Sequence, residues 1–328
     1  MGSDLAPEPE IEGALAALSD IPELRLTLVG QQDKLRAALK GRGGDRISIT
    51  HAPEVITMDD SPLRAVRQKK NASMLVALRL LKKGEADGFV TAGNTGAMMI
   101  ASRTVLRSIE GVARSALCQL LPALGKPALL LDLGANVDCT AMHLCQFAEM
   151  GMVYAQDVLG RDNPRVGLLN IGSEQLKGTD LVKEVHQRLS QAEHINFVGN
   201  VEPKSVYKGE ADVVVCDGYI GNFVLKTSEA AALHIATQVR YQMSQDLISK
   251  IGGLLSLGAM KRLKKTIDPN EYLGAPLLGV RGIVIKQHGG TNALGITNAL
   301  HGAVRAVNSN VTDHIRDGIA EMRSPQLN

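Results

Sequence analysis

The sequence predicts an α/β protein in which a mostly parallel sheet is covered on both faces by helices. Three observations carry that expectation. Runs such as Leu129-Leu130-Leu131 and Val213-Val214-Val215 are apolar at every position, as strands are when both of their faces are buried. Longer stretches with apolar residues three and four apart separate these runs, so strands alternate with helices. Five of the strand-like runs end in glycine and small polar residues: Ala92-Gly93-Asn94-Thr95-Gly96, Asp132-Leu133-Gly134-Ala135-Asn136, Asn170-Ile171-Gly172-Ser173-Glu174, Cys216-Asp217-Gly218-Tyr219-Ile220-Gly221-Asn222 and Gln287-His288-Gly289-Gly290-Thr291-Asn292. Ligands of open α/β sheets bind beyond the carboxyl ends of the strands. The five turns are therefore expected to meet at one edge and form an active site.

The elements follow in order. Residues 26–30 form a strand, 33–40 a helix and 46–50 the next strand. Pro62 opens a long helix through Leu81, with Asp59, Asp60 or Ser61 able to cap it. Strand 88–92 feeds a helix over about 94–106. Strands near 116–121 and 127–133 are joined by only Pro122 to Lys126, which predicts an antiparallel pair, because a parallel crossover needs a dozen or more residues. Helix 140–159, strand 166–171, helix 178–190, strand 195–198, strand 212–216 and a helix from Asn222 to Met243 continue the alternation. Strand 282–287 and helices to about Met322 complete it.

Composition sets bounds. At 328 residues the chain fits one compact body over 1–328 with a helical insertion at about 244–275. Tryptophan is absent and aromatics are few, so Leu, Ile, Val and Ala must build the core. A net charge of +2 argues against a dedicated nucleic-acid binder. Cys118, Cys139, Cys145 and Cys216 show no Cys-x-x-Cys pairing and read as reduced, mostly buried residues of a cytoplasmic protein. No apolar stretch is long enough to span a bilayer, and no signal peptide opens the chain. Met1 to Pro7 has the composition of a strand-to-helix turn, so an apolar strand of about six residues is expected before Met1.

The insertion breaks the rhythm. Leu247, Ile251, Leu254, Leu255, Leu263 and Ile267 recur at roughly helical spacing, interrupted by Gly252, Gly253 and Gly258 and followed by the basic run Lys261-Arg262-Leu263-Lys264-Lys265. One reading is a helical hairpin packed on the body or on a second subunit. The other is an interfacial segment whose Leu254, Leu255 and Leu257 dip into a bilayer while the lysines meet anionic headgroups.

Several chemistries lack their residues. There is no P-loop, no Gly-x-Ser-x-Gly elbow, no His-Glu-x-x-His, no dinucleotide Gly-x-Gly-x-x-Gly after a strand, and no metal-ligand spacing. The glycine turns instead suit an anion. Glycine lets backbone N–H groups approach it, and a helix beginning there adds its positive end. Asn94, Thr95, Asn136 and Asn222 add neutral donors, and Lys177 brings a positive charge just before a helix. Each turn alone also serves as an ordinary helix cap; their recurrence after successive strands points to a site. A strand-end histidine such as His288 needs no catalytic reading.

On these strings, together with Pro164 to Gly172, Cys216 to Lys226, Gly274-Ala275-Pro276-Leu277-Leu278-Gly279 and Val284-Ile285-Lys286-Gln287-His288-Gly289, the chain resembles the bacterial phosphate acyltransferase family, the acyl-acyl-carrier-protein:phosphate acyltransferases of phospholipid synthesis. The resemblance runs in order through nearly the whole chain. It departs at Ser3, Asn71 and Gly290-Thr291. It implies a three-layer α/β/α sandwich similar to isocitrate and isopropylmalate dehydrogenases, working as a homodimer. It also implies transfer of a long-chain fatty acyl group from acyl carrier protein to inorganic phosphate without a cofactor or metal. The acyl phosphate would pass to a membrane glycerol-3-phosphate acyltransferase, so a cytoplasmic protein with peripheral membrane attachment is expected. Lys177 would hold phosphate and stabilise the oxyanion, with Asn222 as orienting donor. Gly93, Asn94, Thr95, Asn136, Asp217 and His288 would contact substrate, and Arg67, Lys69 and Lys70 would receive the acidic carrier protein. The rival classes are an oxidoreductase of the same fold, which would need clustered metal-binding aspartates, and a non-catalytic carrier-protein or lipid-binding scaffold.

Overall fold

The computed structural model describes residues 1–322. In chain order the elements are α1 (Glu8–Asp20), β1 (Leu26–Gly30), α2 (Gln32–Leu39), β2 (Ile47–His51), α3 (Pro62–Gln68), α4 (Ser73–Lys82), β3 (Gly88–Thr91), α5 (Thr95–Val105), β4 (Ala116–Leu121), β5 (Ala128–Leu131), α6 (Ala141–Asp157), β6 (Val166–Leu169), α7 (Asp180–Ser190), β7 (Phe197–Val201), α8 (Pro203–Tyr207), β8 (Val213–Val215), α9 (Gly218–Gln242), α10 (Leu247–Ile267), β9 (Ala275–Leu278), β10 (Ile283–Lys286), α11 (Ala293–Asn308) and α12 (Val311–Glu321). Eight strands form the main sheet in the order β3-β10-β9-β4-β5-β8-β6-β7.

Alternate residues of a strand face opposite sides of the sheet, and both sides here are covered. Leu129, Leu131, Val213 and Val215 pack with Leu144, Phe147 and Tyr154 of α6 in one core. Leu130 and Val214 face a second core containing Leu75 and Leu78 of α4 and Met98 of α5. That two-sided burial explains the apolar runs and makes the α/β/α layering a consequence of them.

Strand direction is not uniform. β3 and β10 are parallel, but β10 to β9, β9 to β4 and β4 to β5 are antiparallel, after which β5, β8, β6 and β7 are parallel again. The three reversals leave β5, β8 and β6 running opposite to β3 and β10. The expected single edge for five turns is therefore corrected. The turns after β5, β8 and β6 share one edge, and those after β3 and β10 leave strands that point the other way.

Two expected helices differ. The helix over 62–81 is broken at Lys69, where φ is −90° and ψ is 69°. The chain preceding α3 captures the break: the Lys69 amine donates to the Val55 carbonyl, and Glu54 accepts from the backbone N–H of Asn71 at 2.7 Å and of Ser73 at 3.1 Å. The glycines at 252, 253 and 258 do not interrupt α10, which is continuous and capped by the Asp246 carboxylate on the Ser249 N–H at 2.8 Å. It follows α9 in the chain after residues 243–246. No residue of α10 is buried, and Leu254 and Leu255 are 67% and 82% exposed. No helix among the described residues is long and apolar enough to cross a membrane.

β1 and β2 form a separate parallel pair. Among the described residues β1 pairs only with β2, and β3 only with β10. Residues of β1 and β3, with Ile296 and Ala303 of α11, line a cavity of about 560 Å³ between the two sheets.

Candidate active site

The parallel strands β5, β8 and β6 deliver three turns at one level, because Leu131 pairs with Val215 and Val215 with Leu168. Asp132 organises the first turn. Its buried carboxylate accepts from the backbone N–H of Leu117 at 2.9 Å, Leu133 at 2.7 Å and Asn136 at 2.6 Å, and from Asn136 Nδ2 at 3.0 Å. Burial pushes its pKa up, and these donors oppose the shift. Asn136 also donates to the Ser115 carbonyl at 2.8 Å. Its amide therefore shapes the turn.

The second turn starts α9, where the Asp217 side chain caps the Ile220 N–H at 2.8 Å. Glycine is required for the docking of this helix on the first turn. A Cβ at Gly221 would lie 1.9 Å from the Asp132 carbonyl oxygen, and one at Gly218 2.7 Å from that of Asn136. Asn222, exposed, then sits over Gly134, whose φ of +95° only glycine adopts readily. In the third turn Asn170 donates to the Lys177 carbonyl at 2.9 Å, and Lys177 folds over Gly172 to pair with Glu174 at 2.8 Å. Donating a hydrogen bond to the Glu174 carboxylate raises the Lys177 pKa, so this exposed amine is a cation at neutral pH. Two residues later Thr179 caps α7 on the Val182 N–H. Lys177 and Asn222 thus belong to turns of adjacent strands on one edge.

The opposite group is built differently. Asn94 caps α5 by accepting from the Ala97 N–H at 3.0 Å, and its Nδ2 reaches the carbonyls of Thr57, Met58 and Asp60 at 3.1–3.2 Å. The Asn94 amide is committed to these bonds. Gly93 and the first-turn residue Thr95 present backbone at the start of α5. His288 is exposed and accepts from the Gly290 N–H through Nδ1 at 3.2 Å. Asp4 faces the Gly289–Gly290 turn, and its N–H donates to the Gly289 carbonyl at 3.1 Å. The last residue of β10, Lys286, is buried. α9 links the two groups: Lys226, one turn beyond Asn222, contributes a repulsive field at Lys286.

Of the residues expected to receive a carrier protein, Arg67 and Lys70 are exposed. Lys69 is turned inward and ion-paired with Asp60, so it does not add to an exposed basic face. Leu254, Leu255 and Leu257 project from the uncovered α10. Burial pushes the thiols of Cys139 and Cys145 up to about 11, and those of Cys118 and Cys216 further still, which leaves them without thiolate character. Among the described residues no group of three or more His, Cys, Asp or Glu is placed to hold a metal ion. Sequence reasoning missed Asp132 and Lys286 as individual residues, because their roles come from burial rather than motif.

Comparison with known proteins fits this picture. Residues 1–314 match the family described as fatty acid synthesis protein. The phosphate acyltransferase of Halorhodospira halophila is 46% identical over 98% of this chain and 95% of its own length. That of Alkalilimnicola ehrlichii is 48% identical over 95% and 92%, respectively. Among solved structures, a phosphotransacetylase from Streptococcus pyogenes superposes with a TM-score of 0.63 at 15% identity, covering 92% of each chain. A branched-chain phosphotransacylase from Enterococcus faecalis V583 gives 0.58 at 16% identity, covering 93% of this chain and 97% of that one. At these identities the superpositions establish the shared fold. With relatives of that name matching almost end to end, the chain belongs to the phosphate acyltransferase family and is an acyltransferase.

Proposed function

We propose that the protein transfers a long-chain fatty acyl group from acyl carrier protein to inorganic phosphate, forming acyl phosphate for phospholipid synthesis. A phosphate oxygen attacks the thioester carbonyl carbon, the C=O pair moves onto oxygen, and the tetrahedral oxyanion collapses with loss of the carrier thiolate. The thiolate then takes a proton from water or buffer. With a thiol pKa of about 8–9 this leaving group needs little acid assistance. The observation that carries the reading is the placement of Lys177 and Asn222 on neighbouring turns of one strand edge, beside the capped start of α9. A cation and a neutral donor can hold a dianion and stabilise the developing oxyanion. The absence of thiolate character in the cysteines supports direct attack over an acyl-cysteine intermediate.

Gly93 and Thr95 would offer backbone donors, while Asn94, Asn136 and Asp217 hold the turns in shape. The carrier protein would land on Arg67 and Lys70, and the exposed leucines of α10 would bring the protein, as a homodimer, to anionic membranes. Acyl phosphate would be consumed there by a glycerol-3-phosphate acyltransferase. The test is turnover by Lys177→Ala and Asn222→Ala with acyl carrier protein thioester and phosphate. Loss of one such donor lowers the rate roughly a hundredfold or more. Near-normal turnover of Lys177→Ala at saturating phosphate would remove that residue from the site.

A further inference from the structure

We propose that the buried amine of Lys286, at the end of β10, is a phosphate-binding group. The inference rests on the reading of this chain as an acyltransferase that handles phosphate. Lys286 is only 6% exposed, and an ammonium removed from water is retained when it has a counter-charge. Among the described residues its only hydrogen-bond acceptor is the neighbouring Gln287 carbonyl, and no carboxylate lies within ion-pairing distance of it. An ammonium offers three donors, so this bond leaves others available.

The surroundings are asymmetric. Asp4 supplies a favourable field from the turn that packs on Gly289 and Gly290, but lies beyond ion-pairing distance. Lys226 approaches from α9 with the same charge as Lys286. Lys226 is itself paired with Glu229 at 2.7 Å, so of the two amines only Lys286 lacks a counter-ion. A lysine serving solubility would reach for solvent instead. Burial also lowers the Lys286 pKa to about 8, the direction expected for an ammonium without a counter-ion. A phosphate bound there would reverse that shift.

Two phosphates are available in the proposed reaction: inorganic phosphate and the phosphodiester of the carrier's phosphopantetheine arm. Steady-state kinetics of Lys286→Met and Lys286→Arg, with phosphate and acyl carrier protein varied separately, distinguish them. A parallel measurement reads the rise in melting temperature that inorganic phosphate causes. If inorganic phosphate is the ligand, Lys286→Met should raise the KM for phosphate roughly tenfold to a hundredfold, as expected for a charge-assisted hydrogen bond. It should also diminish the phosphate-induced rise in melting temperature, and Lys286→Arg should recover part of both. A raised KM for the carrier substrate alone would assign the amine to the phosphodiester. Unchanged KM values for both, with the phosphate-induced stabilisation intact in Lys286→Met, would overturn the proposal. If the wild-type protein makes no acyl phosphate, the functional reading fails. Diminished phosphate-induced stabilisation in Lys286→Met would still establish the site.

Discussion

Lys286→Met should make the unliganded protein more stable and the enzyme less competent. Burial lowers the Lys286 pKa from 10.5 to about 8, so the unfolded chain binds a proton more tightly than the folded one. The sign follows directly. A depressed folded pKa disfavours the charged form, and wild-type stability is lost as pH falls through about 8 and regained as pH rises toward 10.5. A 2.5-unit difference at 1.36 kcal/mol per unit corresponds to about 3 kcal/mol at neutral pH. Methionine removes that cost but leaves the Gln287 carbonyl without its donor, which returns about 1 kcal/mol. The net expectation is a gain of about 2 kcal/mol, read as a melting temperature a few degrees higher for a chain of this size. Desolvation is the main cause, Asp4 opposes it and Lys226 adds to it. The assay is scanning calorimetry of both proteins in phosphate-free buffer from about pH 7 to pH 10. The gap between them should be widest at pH 7 and close toward pH 10, and saturating phosphate should raise the wild type more than the variant. Parallel melting curves across that range, or a variant that melts lower at pH 7, would refute the reasoning.

Other consequences follow from the surface. Leu254→Glu with Leu255→Glu should abolish co-sedimentation with anionic vesicles while sparing turnover in solution, because neither side chain is buried in the protomer. A monomeric, destabilised double variant would show instead that α10 covers a second subunit. Arg67→Glu with Lys70→Glu should slow carrier-protein association at low salt and matter less as salt rises, whereas Lys69→Ala should act through loss of its Asp60 pair. Unchanged association at low salt would place the landing surface elsewhere. Gly221→Ala should detach the start of α9 from the Asp132 turn and lower activity along with stability, since its Cβ would overlap a carbonyl oxygen. A variant with unchanged melting temperature would show that this contact can relax.

The layers were legible in the sequence because burial of both faces leaves a composition that no other placement explains. Leu129 to Leu131 and Val213 to Val215 supply alternate residues to two cores. Strand direction was not legible. It turns on β9, a four-residue strand whose Pro276 argues against an internal position, yet it lies between β10 and β4. Without β9, the sequence offers no sign that β10 and β5 run opposite ways. The break at Lys69 was hidden for a related reason, since its cause lies in residues 54–60, distant from the helical pattern itself. Lys177 and Asn222 could be singled out by turn chemistry, whereas the exceptional feature of Lys286 is burial within a sheet whose neighbours come from elsewhere in the chain.

The central claim is that phosphate itself attacks the carrier thioester. Phosphorus-31 NMR of purified protein with long-chain acyl carrier protein and inorganic phosphate follows that event directly. One acyl phosphate should form for each carrier thiol released, with neither product appearing when phosphate is omitted. Thiol release with free fatty acid but no acyl phosphate, or release that proceeds without phosphate, would contradict it.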